Sequence, residues 1–242
     1  EHCHRNCFRK MMLKNRKNII RILAVISGLS GIVILAYILL PILNYDLNSS
    51  KYASYLSPVP NDVVVEKGNN FDSTKASTWF TGGAESRDFE ATSISYYNIT
   101  IPKLKIDSAV VSIGGEDLSK SLIQYPGTAM PGKNGNAVIF GHSILPQFYD
   151  PKDYLAIFST LPTLELGDEV VVNYDGVSYR YRVETKFEVS PTDLQVLEQD
   201  PSDSFLTLVT CVPPGHPLKP RRLIVRARLV PFGKDANAPA RY

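Results

Sequence analysis

Residues 169–187 read EVVVNYDGVSYRYRVETKF. Two runs rich in β-formers, Glu169–Tyr174 and Val177–Phe187, flank the pair Asp175-Gly176. An Asp-Gly pair between such runs predicts a two-residue hairpin turn, because both central residues must accept positive φ. In the second arm Val177, Tyr179, Tyr181 and Val183 alternate with Ser178, Arg180, Arg182 and Glu184. A period of two with one apolar and one polar side is a strand with one buried and one wet face. The same texture continues outward. Tyr97–Ile101, Ala109–Ile113, Asn136–Phe140, Ser204–Thr210 and Leu223–Leu229 also read as strands. Asp153–Thr160 and Asp193–Glu198, the latter behind Pro191-Thr192, read as short helices. The sum is one all-β barrel or sandwich over residues 92–232 with short helices on connections, followed by a C-terminal tail, residues 233–242. There is no repeat of domain-building length, Gly-rich phosphate loop or zinc signature.

Upstream the composition changes twice. Ile22 to Leu43 (ILAVISGLSGIVILAYILLPIL) contains no charge. At about 1.5 Å per residue that stretch spans a hydrocarbon core of about 30 Å, so residues 22–43 are expected to form a transmembrane helix. A cleaved signal peptide has an apolar region of about 7–15 residues and a small-residue cleavage site, which do not fit here. The chain opens without Met, and Met11-Met12 would make a natural start. Residues 44–91 are polar, broken by Ser57-Pro58-Val59-Pro60 and Gly82-Gly83, and read as a stalk. Val63-Val64-Val65 and Trp79-Phe80 are its apolar points and could dock on the domain surface.

Charge follows the same division. Lys+Arg number 26 and Asp+Glu 24, a net +2. Residues 1–21 hold seven bases and one acid, a net +6, which leaves −4 on the rest. Bases before an apolar span and Asp46 after it predict a cytoplasmic N-terminus and an extracellular body. An acidic body excludes a nucleic-acid partner, which calls for a basic face. Hydrophobic content of 44% excludes global disorder, and three cysteines exclude a disulfide framework. His2, Cys3, His4 and Cys7 lack a folded scaffold to fix four metal ligands, so no metal is expected there.

Cys211 is the only cysteine beyond the apolar span. It ends an apolar run and precedes the loop Val212-Pro213-Pro214-Gly215, a place where a scaffold presents a reactive group. A free thiol on an oxidising face is a liability unless it is used. A cysteine nucleophile needs a nearby acid–base partner, and only His142 and His216 lie beyond the span. His142 follows a strand and Gly141, which favours it, because strands hold a group more rigidly than loops; His216 lies in the loop and is expected at the substrate. Arg222 opens the last strand, eleven residues past Cys211, where a guanidinium would serve an oxyanion.

These residues carry a resemblance. Thr207-Leu208-Val209-Thr210-Cys211 resembles the TLxTC signature of sortases, the membrane-anchored cysteine transpeptidases of bacterial surfaces. Tyr125–Gly132 and Gly135–Ser143 look like the segment leading to that family's catalytic histidine. Arg222-Leu223-Ile224-Val225 is similar to its arginine strand, and Phe158 to Val172 also fits. The resemblance covers residues 95–230 and implies an eight-stranded β-barrel. It implies that Cys211 attacks the scissile Thr carbonyl of an LPxTG-like sorting signal and holds the product as a thioester. His142 would act as general acid and base, and Arg222 would hold the substrate backbone or oxyanion. Thr210, Val212, Pro213 and His216 would line the substrate path. The implied partners are secreted proteins bearing a sorting signal and an acceptor amine on a cell-wall precursor or a pilin. No cofactor is expected; Asp107, Glu116 and Asp117 could contribute to a calcium site, as in some members, but scattered surface carboxylates are the favoured account, since calcium needs about 6–8 converging oxygens. The stalk shows no Asp-Pro-aromatic lid of the kind some pilin-polymerising members carry.

Two other classes fit parts of the pattern. Papain-like peptidases place Cys before His, whereas His142 precedes Cys211 by 69 residues, and L,D-transpeptidases place the two closer together. A non-catalytic anchored β-domain would keep its ligand when Cys211 is replaced.

Overall fold

The structure is a computed structural model that describes residues 2–49, 53–54, 72, 74–82 and 95–231. Val63-Val64-Val65, residues 84–94 and the tail 233–242 lie outside the described residues, as do the side chains of His2, Cys3, His4 and Cys7. The chain divides into two compact units, residues 1–44 and 45–242.

Helix α1 runs from His2 to Ser49. Its segment Ile19–Ser49 is long and apolar enough to cross a membrane. The helix is longer than the expected 22–43, and Pro41 lies inside it. Proline removes one intrahelical hydrogen bond, and here that loss does not end the helix.

Eight strands form the barrel: β1 Ser95–Ile101, β2 Ile106–Ile113, β3 Leu122–Gln124, β4 Gly135–Phe140, β5 Glu169–Tyr174, β6 Val177–Val189, β7 Ser204–Val212 and β8 Arg221–Leu229. Their spatial order is β6-β5-β1-β2-β3-β4-β7-β8, and β8 pairs back onto β6 to close the ring. Closure removes the exposed edges that an open sheet would present. The two-residue strand Ala53–Ser54 adds in parallel at Phe187 and Glu188 of β6.

The expected hairpin is β5–β6, with Tyr174 paired to Val177 around Asp175 (φ 51°) and Gly176 (φ 73°). Both turn residues are left-handed, the twist that two-residue hairpins require. Strand β3 was not anticipated, because Leu122-Ile123-Gln124 is too short to show a period. The segment 154–160, expected as a helix, is a chain of turns, followed by the 3-10 turn Leu161–Thr163. The Phe158 N–H donates to the His142 carbonyl, outside the segment, and the Ala156 and Ser159 N–H groups reach back three residues, to Asp153 and Ala156, where an α-helix reaches back four. Asp193–Glu198 is the 3-10 turn Leu194–Leu197, begun by the Asp193 carboxylate accepting from the Gln195 N–H.

Strands β4 and β7 run parallel, from Gly135↔Ser204 to Phe140↔Val209. Both are buried at every position, and for that reason neither shows an exposed polar face; their polar residues, Asn136, Ser204, Thr207 and Thr210, are buried too. One face of each looks into the barrel, where Ala137, Ile139, Leu206 and Leu208 meet Leu223, Val225 and Tyr181. The other face carries Val138, Phe140, Val209, Cys211 and Ile224, covered by Ala76, Trp79 and Phe80. Part of the segment read as stalk is thus part of the folded body.

Truncating the barrel interior removes packed atoms that cannot collapse. Leu208→Ala is expected to lower stability by about 2–5 kcal/mol, against less than about 0.5 kcal/mol for Ser178→Ala on the exposed hairpin. Urea unfolding of the detergent-solubilised 242-residue chain compares the two.

Candidate active site

Strand parity places the reactive groups. On β7 the outer face holds Val209 and Cys211, and on β8 it holds Ile224. A period of two puts Arg222 on that face as well. On β4 the same parity runs through Val138 and Phe140 and continues to His142 one step past the strand. Cys211 and Arg222 are direct partners in the β7–β8 ladder. The Gly141 N–H donates to the Val209 carbonyl (3.1 Å), which brings the His142 turn alongside Cys211. The three residues expected to carry the chemistry therefore converge at one rim of the barrel.

The rim is closed. Cys211 is 1%, His142 5% and Arg222 1% exposed. Trp79 is the cover: its ring stacks on Phe140 with centroids 5.2 Å apart and meets the His142 ring edge-on at 6.4 Å. The Arg222 guanidinium lies over the same ring, 5.6 Å from its centroid. Arg222 Nε donates to the Trp79 carbonyl (3.1 Å), and Nη1 donates to the carbonyls of Lys219 (2.9 Å) and Arg221 (3.3 Å). The covering segment is itself held on both sides. The Ala76 N–H donates to the Glu116 carbonyl, the Leu118 N–H to the Thr74 carbonyl, and the Thr81 N–H to the Pro191 carbonyl.

Burial sets the charge states. It pushes the Cys211 thiol up, against the pull of Arg222 and Lys219. It pulls His142 down to about 4, with Lys219 adding to the effect and Asp153 and Asp72 opposing it. The Ser143 N–H donates to His142 Nδ1 (3.0 Å), a bond that a neutral imidazole accepts and an imidazolium cannot. Lys219, held down by burial, is the second cation of the site and was not singled out from sequence. Its left-handed backbone (φ 44°) in the loop after Pro213 gives no sequence signal.

Two of the expected substrate contacts face elsewhere. Thr210 lies on the barrel-interior parity, fully buried, with its hydroxyl donating to the Gly141 carbonyl (2.9 Å). Val212 packs into the barrel core. Alternation along β7 turns both away from the face that holds Cys211. Pro213 is buried and follows a cis peptide bond. His216 is half-buried in the loop; its Nδ1 accepts from the Leu218 N–H (3.1 Å) and its carbonyl from the Lys219 N–H (3.2 Å). Arg221, on the opposite parity from Arg222, pairs with Glu188 (2.8 Å). The carboxylates of Asp107, Glu116 and Asp117 do not gather. Asp117 pairs with Lys120 (2.8 Å), Glu116 accepts from the Ser77 hydroxyl, and no cluster of three His, Cys, Asp or Glu exists among the described residues. The covering role of Trp79 has a sequence signal: it is the only Trp in the chain, and Trp79-Phe80 is an aromatic pair in a polar stretch.

A model of the sortase domain matches residues 99–230. Sortase A of Streptococcus agalactiae serotype III (strain NEM316) is 26% identical over 141 residues, covering 58% of this chain and 55% of the relative. The chain thus spans about half the length of the curated relative it matches. Among solved structures, sortase A from Corynebacterium diphtheriae superposes with a TM-score of 0.50 at 28% identity, over 59% of this chain and 64% of that one. A Sortase D5 transpeptidase of Clostridium perfringens gives 0.47 at 28%, over 56% and 79%.

The depressed His142 couples folding to pH. Between its usual 6.5 and about 4 the unfolded chain binds a proton that the folded chain refuses. Stability is therefore lost as pH falls through that window, by up to about 3 kcal/mol. Urea unfolding between pH 7 and pH 4 is expected to show the loss, and His142→Gln to flatten it.

Proposed function

The chain belongs to the sortase family, and from that premise we propose that it is a membrane-anchored cysteine transpeptidase. The observation that carries this reading is the rim itself, where Cys211 faces Arg222 across β7 and β8 and the His142 turn is bonded to β7. In this reading the apolar helix α1 anchors the chain, with the basic head in the cytoplasm and the barrel outside. The substrates are secreted proteins bearing an LPxTG-like sorting signal. The acceptor is an amine of a cell-wall precursor or of a pilin.

The reaction would run as two acyl transfers. Cys211 gives its thiol proton to His142, the thiolate attacks the scissile Thr carbonyl carbon, and the carbonyl electron pair moves onto oxygen, where the Arg222 N–H groups stabilise it. The oxyanion collapses, the C–N bond breaks, and His142 delivers a proton to the leaving amine. The product is a thioester on Cys211. The acceptor amine then attacks that thioester, gives its proton to His142 and releases the thiolate.

Access requires Trp79 to leave. Its carbonyl occupies the Arg222 donor that a substrate carbonyl would need. The closed state is thereby a resting state with neutral thiol and neutral imidazole, and the residues from Thr74 to Gly82 act as its cover. The residues from Thr74 to Gly82 contain no Asp-Pro pair, and Trp79 offers Arg222 a main-chain carbonyl.

Incubating the chain with Leu-Pro-x-Thr-Gly peptides and hydroxylamine is expected to release the hydroxamate and trap a thioester on Cys211. Cys211→Ala abolishes both, and Arg222→Ala lowers kcat by about 10²-fold or more. No thioester on any sorting peptide would defeat the proposal. Trp79→Ala is expected to speed alkylation of Cys211 by about tenfold or more, while costing about 3–5 kcal/mol of stability. Unchanged alkylation would show that the segment is not the barrier.

A further inference from the structure

The backbone ladder between β4 and β7 ends just short of the reactive residues. Its last bond is the Gly141 N–H to the Val209 carbonyl (3.1 Å). Beyond that point two hydroxyls continue the seam. Thr210 Oγ1 on β7 donates to the Gly141 carbonyl (2.9 Å). Ser143 Oγ, past the end of β4, donates back to the Cys211 carbonyl (2.7 Å). His142 lies between the two points at which its own strand is held, Gly141 and Ser143. On β7 the matching points are Thr210 and Cys211. Both hydroxyls are buried, with Ser143 2% and Thr210 0% exposed. Water does not compete there, so each bond fixes a geometry that an exposed one would not.

The far side of the same turn is also tied. The Phe158 N–H donates to the His142 carbonyl (3.0 Å), and the Ile144 N–H donates to Ser159 Oγ (2.9 Å). A Cβ on Gly141 would approach Phe158 to 2.2 Å and Leu122 to 2.6 Å, so the turn packs against the barrel without slack. Among the described residues, the hydrogen bond that crosses directly from this turn to Cys211 is that of the Ser143 hydroxyl.

We propose that Ser143 is a positioning residue, whose hydroxyl bond to the Cys211 carbonyl holds His142 in register with the Cys211 thiol. It touches neither substrate nor the reacting atoms. The proposal rests on the reading of Cys211 and His142 as the acid–base and nucleophile pair. Without the hydroxyl, the turn carrying His142 and the end of β7 would keep their folds and lose their mutual registration, a displacement to which proton transfer is sensitive.

The test uses the 242-residue chain in detergent and two readouts. In hydroxylaminolysis of a Leu-Pro-x-Thr-Gly peptide, Ser143→Ala is expected to lower kcat by about tenfold or more with KM within about twofold. Ser143→Thr restores most of the rate, while the isosteric Ser143→Val does not. The Thr and Val pair keeps the comparison at equal volume if Ser143→Ala fails to fold. The second readout needs no sorting peptide. His142→Ala is expected to change the rate of Cys211 alkylation in the wild-type background, and to change it at least about threefold less in the Ser143→Val background. An equal effect of His142→Ala in both backgrounds, or equal turnover of the Thr and Val variants, overturns the role of Ser143. If His142→Ala has no effect on alkylation even in the wild type, the Cys211–His142 pairing fails and the positioning role falls with it, a result told apart by the background in which it occurs.

Discussion

A guanidinium that is 1% exposed must find its hydrogen-bond acceptors inside the protein, and Arg222 finds them in main-chain carbonyls. Leaving such a charge without acceptors costs several kcal/mol, more than most single contacts return. The arrangement of the rim follows from that constraint. The loop after β7 must curl so that the Lys219 carbonyl reaches Nη1, and the segment before the barrel must come across so that the Trp79 carbonyl reaches Nε. Cys211, paired with Arg222 in the ladder, is buried as a consequence of the same closure. Trp79 supplies both the acceptor and an aromatic face, so one residue satisfies the cation and seals the thiol.

The closed rim is electrically quiet. The thiol is pushed up by burial and the imidazole pulled down by it, so neither bears charge at neutral pH. Two cations, Arg222 and Lys219, remain and both favour a thiolate. Removing the cover would restore solvent to the imidazole and thiol while leaving the cations in place. Desolvation, the largest influence on both groups, is thus the quantity that opening changes.

Much of this was legible in the chain. The Asp175-Gly176 hairpin and its alternation are local signals, and each appears where the residues put it. Cys211, His142 and Arg222 were picked out because chemistry restricts the choice to few residue types, of which the chain has few beyond its apolar helix, and the structure brings the three to one rim. What was illegible depends on parity and on distant pairing. Thr210 and Val212 are neighbours of Cys211 in sequence and face away from it in space, since successive strand residues point to opposite sides. Strand β3 exists because β2 and β4 offer it partners, and three residues carry no period of their own. That the aromatic pair Trp79-Phe80 docks is signalled locally, but that it docks on Cys211, 132 residues later, is not.

The parallel pairing of β4 and β7 has a topological meaning. Two parallel strands side by side deliver their C-terminal ends to the same edge, whatever the chain does between them. His142 and Cys211 come to one edge because both strands stop there, and the connection between them adds the ties of Ser143 to the Cys211 carbonyl and of Phe158 to the His142 carbonyl. Loop residues that make none of these ties are therefore the ones that can vary in length and composition without moving that edge. In a fold of this kind the walls can be rewritten while the two strand ends stay where the parallel pairing puts them.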